Sequence, residues 1–386
     1  MIASIPQTEP LRLSGERFRI LYRVAGSESE ARARARDICL EQTVEFPEGL
    51  VPDGPIRDGM VGRLESFEEV GSHSFLATIS FPVEAAGDDV SQLLNVVFGN
   101  ISLKPGLRAE KLELGPNQSQ IFRGPRFGRA GFRQVTGIDD RPLLSTALKP
   151  MGLSVADLAE LAYRFALGGI DLIKDDHGLT NQPFCPFEER VCRCAEAVGR
   201  ANRQTGRRSL YLPNVTAGPE EILRRALFAK ANGAGGLLVN PGLCGLDSMR
   251  AVADHDGVAL PILAHPAFQG SFVVRPDEGM SHGLIFGQIA RLGGADATIF
   301  PNFGGRFSFS REECCQLAAG TEVPMGAIRP IFPAPAGGLS LSRVHELEEV
   351  YGRELIILVG GGLFKHGPDL VENCRVFREL AERFGR

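Results

Sequence analysis

GIDLIKDDHGLT, residues 169–180, reads as an apolar strand that ends in charge. Ile170, Leu172 and Ile173 belong to the strand, and Lys174, Asp175, Asp176 and His177 stand at its mouth. Polar and ionisable groups at the end of a buried strand are costly unless they pair or hold a metal. A place that collects Lys174 through His177 is therefore a candidate for chemistry.

The same rhythm recurs on both sides. From about Arg141 short apolar runs alternate with longer amphipathic segments: 143–148, 170–174, 209–215, 235–240, 260–265, 297–300, 328–332 and 355–359. Between the first two, Val155, Leu158, Ala162 and Phe165 share one helical face. Ser154 with Asp157, and Ser310 with Glu313, have the spacing of helix N-terminal capping boxes. Runs this apolar are covered on both faces, which favours a parallel sheet. Eight such strand–helix pairs predict an α/β fold with a C-terminal (β/α)8 TIM barrel. Prolines inside the third and seventh runs fit a strand least well.

Upstream the pattern is different. Phe18 to Val24 alternates like a strand, and 27–39 has helical spacing. Residues 72–83 are β-rich, 89–97 form a short amphipathic helix, and Leu112 to Leu114 open another strand. This predicts a small α+β domain. FRGPRFGRAGF (122–132) breaks the pattern, so the expected domains are 1–125 and 126–386.

Composition sets the outer bounds. The 386 residues are 43% hydrophobic and 23% charged, an ordinary globular balance. A net charge of −5 gives no general attraction to nucleic acid or anionic membrane. No apolar run approaches the roughly 20 residues of a membrane span. The stretch MIASIPQTEPLRLSGE shows no secretory signal, and the eight scattered cysteines lack C-x-x-C spacing. Reduced thiols in a cytoplasmic protein are the expectation.

Barrel chemistry sits where strands end and loops begin. Those positions hold Lys149, Lys174 to His177, Asn214 with Thr216, Asn240, His265, and Asn302 to Arg306. Gly337 and Gly338 follow the seventh run, and Gly360, Gly361 and Gly362 follow the eighth. Glycine loops after strands seven and eight are where barrels commonly bind phosphate through backbone N–H groups.

Taken in series, these ends resemble the large-subunit fold of ribulose-bisphosphate carboxylase and its non-carboxylating relatives, the RuBisCO-like proteins. The motifs are LKPMGLS, GGIDLIKDDHGLTNQPF, NVTAG, AHPAF, NFGGRF, AGGL and GGG, in order along the barrel. EQTVE (41–45) and FGN (98–100) resemble the N-terminal segments that the family lends to a neighbouring subunit's site. The resemblance implies a ferredoxin-like N-terminal domain and a homodimer or dimer-based oligomer without a small subunit. It also implies a phosphorylated small-molecule substrate, with Glu41 and Asn100 reaching a partner's site.

Residue by residue, Lys174 matches the lysine that the family carbamylates with CO2, and Asp176 matches the second metal ligand. His177 stands where carboxylases have a glutamate, and imidazole suits Mg2+ poorly. The implied ligands are Lys174, Asp176 and His177, holding Mg2+ or another divalent metal. An alternative is that Lys174 only pairs with Asp175 or Asp176. Lys149 matches a lysine beside the reacting carbons, and His265 a histidine near the substrate hydroxyls. Lys149 can shuttle protons or serve as a counter-charge, and His265 can transfer protons, donate a hydrogen bond or be structural.

The departures are also informative. Carboxylase residues are replaced by Pro266, Gln269, Ile299 and Ala336, and Arg306 stands for the lysine that meets CO2. Arginine does not substitute for a compact ammonium. Loss of cationic side chains at Pro266 and Ile299 removes the second phosphate clamp, while the glycine pairs of the first remain. The implied enzyme acts on a monophosphorylated keto-sugar or keto-sugar acid through an enediolate, as a decarboxylase or enolase rather than a carboxylase. A keto-sugar-phosphate isomerase of the methionine-salvage type, and a non-catalytic phospho-ligand-binding protein, stay open.

Overall fold

The computed structural model describes residues 11–307 and 309–384. The first ten residues, part of the stretch read for a secretory signal, lie outside the described residues. Among the described residues no helix is long and apolar enough to cross a membrane.

The chain divides into two compact units. The first comprises Met1–Phe122, Gly270–Gln288 and Pro324–Ile328. Its sheet is built from Arg17–Ala25, Arg63–Gly71, Ser74–Pro82 and Leu107–Glu113, in the order fourth, first, third, second. Helices Glu28–Glu41 and Val90–Phe98 complete a ferredoxin-like β-α-β-β-α-β order. The first strand alternates as its sequence demands: Phe18, Ile20, Tyr22 and Val24 are buried, while Arg17, Arg19 and Arg23 lie on the other face. Ser27 and Glu30 close a capping box at the start of Glu28–Glu41. A two-residue strand, Gly279–Met280, adds parallel to Leu107–Glu113. The edge strand Arg63–Gly71 escaped the sequence reading because it is polar along both faces and mostly exposed.

The second unit comprises Arg123–Gln269, Ile289–Val323 and Arg329–Arg386. Its eight parallel strands are Leu143–Leu148, Leu172–Asp175, Leu210–Leu212, Leu237–Val239, Ile262–Ala264, Ala297–Pro301, Phe332–Ala336 and Ile356–Leu358. Hydrogen bonding orders them as eight-one-two-three and four-five-six-seven. Strands three and four are stitched by Leu238 N to Pro213 O and Val215 N to Leu238 O, at 2.9 and 3.0 Å. The two expected capping boxes are present at Ser154 and Ser310.

Strand seven lies further along the chain than the run 328–332. It occupies Phe332–Ala336, FPAPA, and leads directly into Gly337. Phe332 donates its N–H to Asp296 O, toward strand six. In a parallel ladder the alternate residues face the other neighbour, and here those are Pro333 and Pro335, which have no N–H. Among the described residues there is accordingly no ladder between strands seven and eight.

The barrel interior is one apolar cluster that includes Leu143, Leu172, Leu212, Leu238, Leu263, Phe332 and Ile356. Phe132 belongs to it as well, carried by the helix Gly128–Thr136 in the stretch read only as a boundary. Its ring meets Phe332 edge-on, with centroids 6.1 Å apart. The helix entry is held by Asp296, whose Oδ1 accepts the N–H groups of Phe127 and Gly128 at 2.8 and 2.7 Å.

Candidate active site

Strand alternation builds the site. Leu172, Leu212, Leu238 and Leu263 point into the barrel interior. Two residues further on, on strands two to five and just beyond, come Lys174, Asn214, Asn240 and His265. A ring of polar groups therefore stands directly on a ring of leucines. The strand ends read from the sequence already include these four residues, and the recurring Leu-x-polar spacing puts them in one layer.

Lys174 is 3% exposed, and its Nζ donates to the main-chain oxygen of Asp175 at 3.0 Å. Burial pushes its amine down to about 8; Asp176 opposes the shift and the charge of Lys149 adds to it. Asp176 gathers the neighbours. Its Oδ1 lies 2.5 Å from Lys149 Nζ and 3.2 Å from His177 Nδ1. Burial alone would raise this carboxyl, but hydrogen bonds from His177 and Lys149 outweigh it and hold it well below the usual carboxylate range.

His177 and His265 stack face to face, with ring centroids 4.4 Å apart and planes 3° from parallel. His265 Nδ1 accepts the N–H of Ala267 at 3.2 Å, which leaves the proton of the neutral ring on Nε2. Loss of water around the ring, then the charges of Lys174 and His177, hold it well below the ordinary imidazole range. The main-chain carbonyl of His177 accepts two amides, from Asn214 at 2.8 Å and Asn240 at 3.1 Å. Asn240 Oδ1 is buried without a hydrogen-bond partner.

Asp175 has a different task from its neighbours. Its carboxylate turns away from the ring to Arg190 Nε at 3.0 Å, Tyr211 Oη at 2.8 Å and Asn214 N at 2.9 Å. The Arg190–Asp175 pair is fully buried, and Arg190 also donates to the carbonyls of Thr180 and Cys185. This is a structural ion pair that ties the loop after strand two to strand three.

Among the described residues no three His, Cys, Asp or Glu side chains are arranged to hold a metal. Asp176 and His177 supply two donors, and a third exists only if Lys174 becomes an anion. The depressed amine of Lys174 suits that conversion, because only the neutral form reacts with CO2. Two oxygens and one imidazole form a set that accepts Mg2+ and suits softer divalent ions better.

The glycine loops meet at the other side of the mouth. Gly337 and Gly338 have φ of +87° and +110°, conformations that favour glycine. A Cβ on Gly362 would lie 2.5 Å from Leu339 O, whereas one on Gly360 or Gly361 would meet open space. The strand-six loop joins them: Arg306 N donates to Gly337 O at 3.0 Å, and the Arg306 side chain is exposed. In the first unit Glu41 and Asn100 are brought together, with Asn100 Nδ2 3.1 Å from Glu41 Oε1.

Residues 130–307 match the family model for the ribulose bisphosphate carboxylase large chain, catalytic domain. The chain is 38% identical to ribulose bisphosphate carboxylase-like protein 1 of Rhodopseudomonas palustris, covering 94% of this chain and 96% of that protein. It is 38% identical to a 5-methylthioribulose-1-phosphate isomerase of Rhodospirillum rubrum, over 94% and 95% of the two chains. It is also 33% identical to a 2,3-diketo-5-methylthiopentyl-1-phosphate enolase of Bacillus licheniformis, over 94% and 90%. A crystal structure of a Rubisco-like protein from Rhodopseudomonas palustris superposes with a TM-score of 0.87 at 36% identity, over 96% of this chain and 99% of that one. With the barrel, the ferredoxin-like unit and the order of the site residues, these likenesses place the chain among the RuBisCO-like proteins.

Proposed function

We propose that this protein is an enzyme that enolises a monophosphorylated keto-sugar or keto-sugar acid, and not a ribulose-bisphosphate carboxylase. The observation that carries the reading is the buried, depressed amine of Lys174, set beside Asp176 and in one cluster with Lys149, His177 and His265. Lys174 as its carbamate, Asp176 and His177 would hold Mg2+ or another divalent cation. A cation held there would supply Lewis acidity toward the substrate carbonyl.

The chain's own groups divide the remaining work. His265, neutral with its proton on Nε2, donates a hydrogen bond to a substrate oxygen, or passes that proton on. Lys149 exchanges a proton with the carbon next to the carbonyl. The turns at Gly337, Gly338, Gly360, Gly361 and Gly362 offer backbone N–H groups to a phosphate. Arg306 pairs with the charged end of the substrate. Ile299 lies in the apolar interior and position 266 is proline, which supports a substrate with one phosphate and a less polar or differently charged far end. Glu41 and Asn100 would complete the site of the partner subunit in a cytoplasmic homodimer.

A relative at 38% identity named as an isomerase favours a second reading, in which the enediolate is reprotonated at the neighbouring carbon. One experiment separates the outcomes. Phosphorylated keto-sugars, keto-acids and methylthio-sugars are incubated in D2O with Mg2+ and bicarbonate, and the products are followed by NMR. An enol product identifies the enolase and a shifted carbonyl the isomerase. CO2 release, with deuterium placed at the carbon that lost it, identifies a decarboxylase. No turnover of any of these by wild type, with metal binding unaffected by Lys174→Met, would overturn the enzymatic reading.

A further inference from the structure

Most residues of the mouth sit at strand ends, but the strand-six loop reaches outward and has its own anchors. Arg343, in the short helical turn after strand seven, donates from Nη1 to Gly304 O at 2.7 Å. Its Nε and Nη2 are locked on the Glu346 carboxylate at 3.0 and 2.6 Å, a fork that fixes the guanidinium plane. A Cβ on Gly304, whose φ is +63°, would lie 2.7 Å from Arg343 Nη2, so the loop backbone approaches closely. Tyr351, one helix further on, donates Oη to Asn302 Oδ1 at 2.7 Å, and this contact is buried.

Nothing in strand six itself requires these anchors. Asn302 N already donates to Ala336 O at 2.8 Å, continuing the ladder. What the anchors hold is the span from Phe303 to Arg306, with Arg306 N on Gly337 O at its end. That span carries the arginine of the mouth across the strand-seven glycine pair.

We propose that Arg343, backed by Glu346, is a positioning residue: it keeps the strand-six loop seated on Gly337 and so fixes where Arg306 meets an anion held by the glycine turns. The inference rests on the phosphate reading of those turns given above. Arg343 touches no reacting atom. Its effect reaches the substrate through the Gly304 carbonyl and the Arg306 backbone.

The test reads the loop directly. Trypsin cleaves after Arg306 only when the loop leaves its seat, and the Arg306–Phe307 cut is identified by fragment mass. In Arg343→Ala this cut should accelerate on the order of tenfold or more, as expected for loss of a charge-assisted hydrogen bond. Arg343→Lys, which can reach the carbonyl without the fork, should recover part of the protection. Inorganic phosphate should protect wild type, and a higher concentration should be needed for Arg343→Ala. The side chain is half-buried at the surface, so the variant keeps its core, and an unchanged melting temperature documents this.

Equal cleavage rates in wild type and Arg343→Ala would overturn the proposal and leave the phosphate site untouched. Faster cleavage with an unchanged phosphate requirement would also overturn it, since the loop would then be anchored without positioning anything. Failure of phosphate to protect even wild type would overturn the phosphate reading, and with it the positioning role. The two ideas therefore fail in different arms.

Discussion

His177 and His265 lie ring on ring, 4.4 Å between centroids, at the point where strands two and five deliver their last side chains. Two imidazoles this close do not both carry charge cheaply. His265 is the one held neutral, by its burial first and by the charges of Lys174 and His177 next. Replacing His177 with glutamine removes only the last of these causes. The expected result is a modest upward move of the His265 titration, still below the ordinary imidazole range, read from its ring proton by NMR. A downward move would contradict this account of the stack.

The same position tests the proposed metal site. In the proposed site Asp176 and His177 would contribute one oxygen ligand and one nitrogen ligand, and nitrogen disfavours Mg2+. His177→Glu should therefore increase the melting-temperature gain on adding Mg2+ with bicarbonate, and reduce the relative gain with Zn2+ or Ni2+. Thermal shift with each ion provides the check. Equal gains before and after the change would remove His177 from the ligand set.

Lys174 makes the site pH-dependent. With its amine near 8, about a tenth is neutral at pH 7 and most is neutral at pH 9. Bicarbonate-dependent stabilisation should rise across that interval, and 13C NMR should show the carbamate growing with it. The linkage has a definite sign. The folded state holds fewer protons than the unfolded state between about 8 and 10.5, so this residue's contribution to stability improves as pH rises through that window. Below about pH 8 the cost of burying the charge is fully present. Without metal or bicarbonate, Lys174→Met should gain ~1–3 kcal/mol at pH 7 and lose that advantage by about pH 10.5, measured by urea unfolding.

The Arg190–Asp175 pair should behave as structure and not as chemistry. Both side chains are fully buried and share their remaining bonds with Tyr211, Asn214 and two loop carbonyls. Removing one partner strands a buried charge, so Asp175→Ala should cost ~3–5 kcal/mol in urea unfolding. Replacing both partners together by apolar residues should recover much of the loss. A cost below ~1 kcal/mol for the single change would show that water reaches the guanidinium.

At the opposite end of the barrel, Phe132 closes the interior against Phe332. Phe132→Ala should destabilise by ~3–5 kcal/mol, because the strands around it cannot collapse into the space. Activity per folded molecule should be unchanged, which separates this residue from those at the mouth.

Much of this was legible in the residues. The eight runs, the two capping boxes and the glycine turns were visible because periodicity, caps and turns are local properties. Strand seven was misplaced because FPAPA looks like a breaker. Its prolines are accommodated only because the missing N–H groups face the side without a ladder, which is a fact about a neighbour. The polar edge strand Arg63–Gly71 and the plugging helix Gly128–Thr136 were missed for the same reason, since partners and not propensity define them. Asp175 and Asp176 are adjacent and alike in sequence. The pleat alone sends one to the structural pair and the other to Lys149 and His177.

The ring of leucines under the polar ring has a consequence for how such a protein changes over time. Leu172, Leu212, Leu238 and Leu263 hold the staves together, and Lys174 and His265, two positions on, stand outside that apolar cluster. A substitution at Lys174 or His265 alters the mouth above this hydrocarbon floor, whereas one at Asn214 or Asn240 also releases the carbonyl of His177. The chemistry of the mouth can thus be altered at the lysine and the histidine without rebuilding the barrel that carries them.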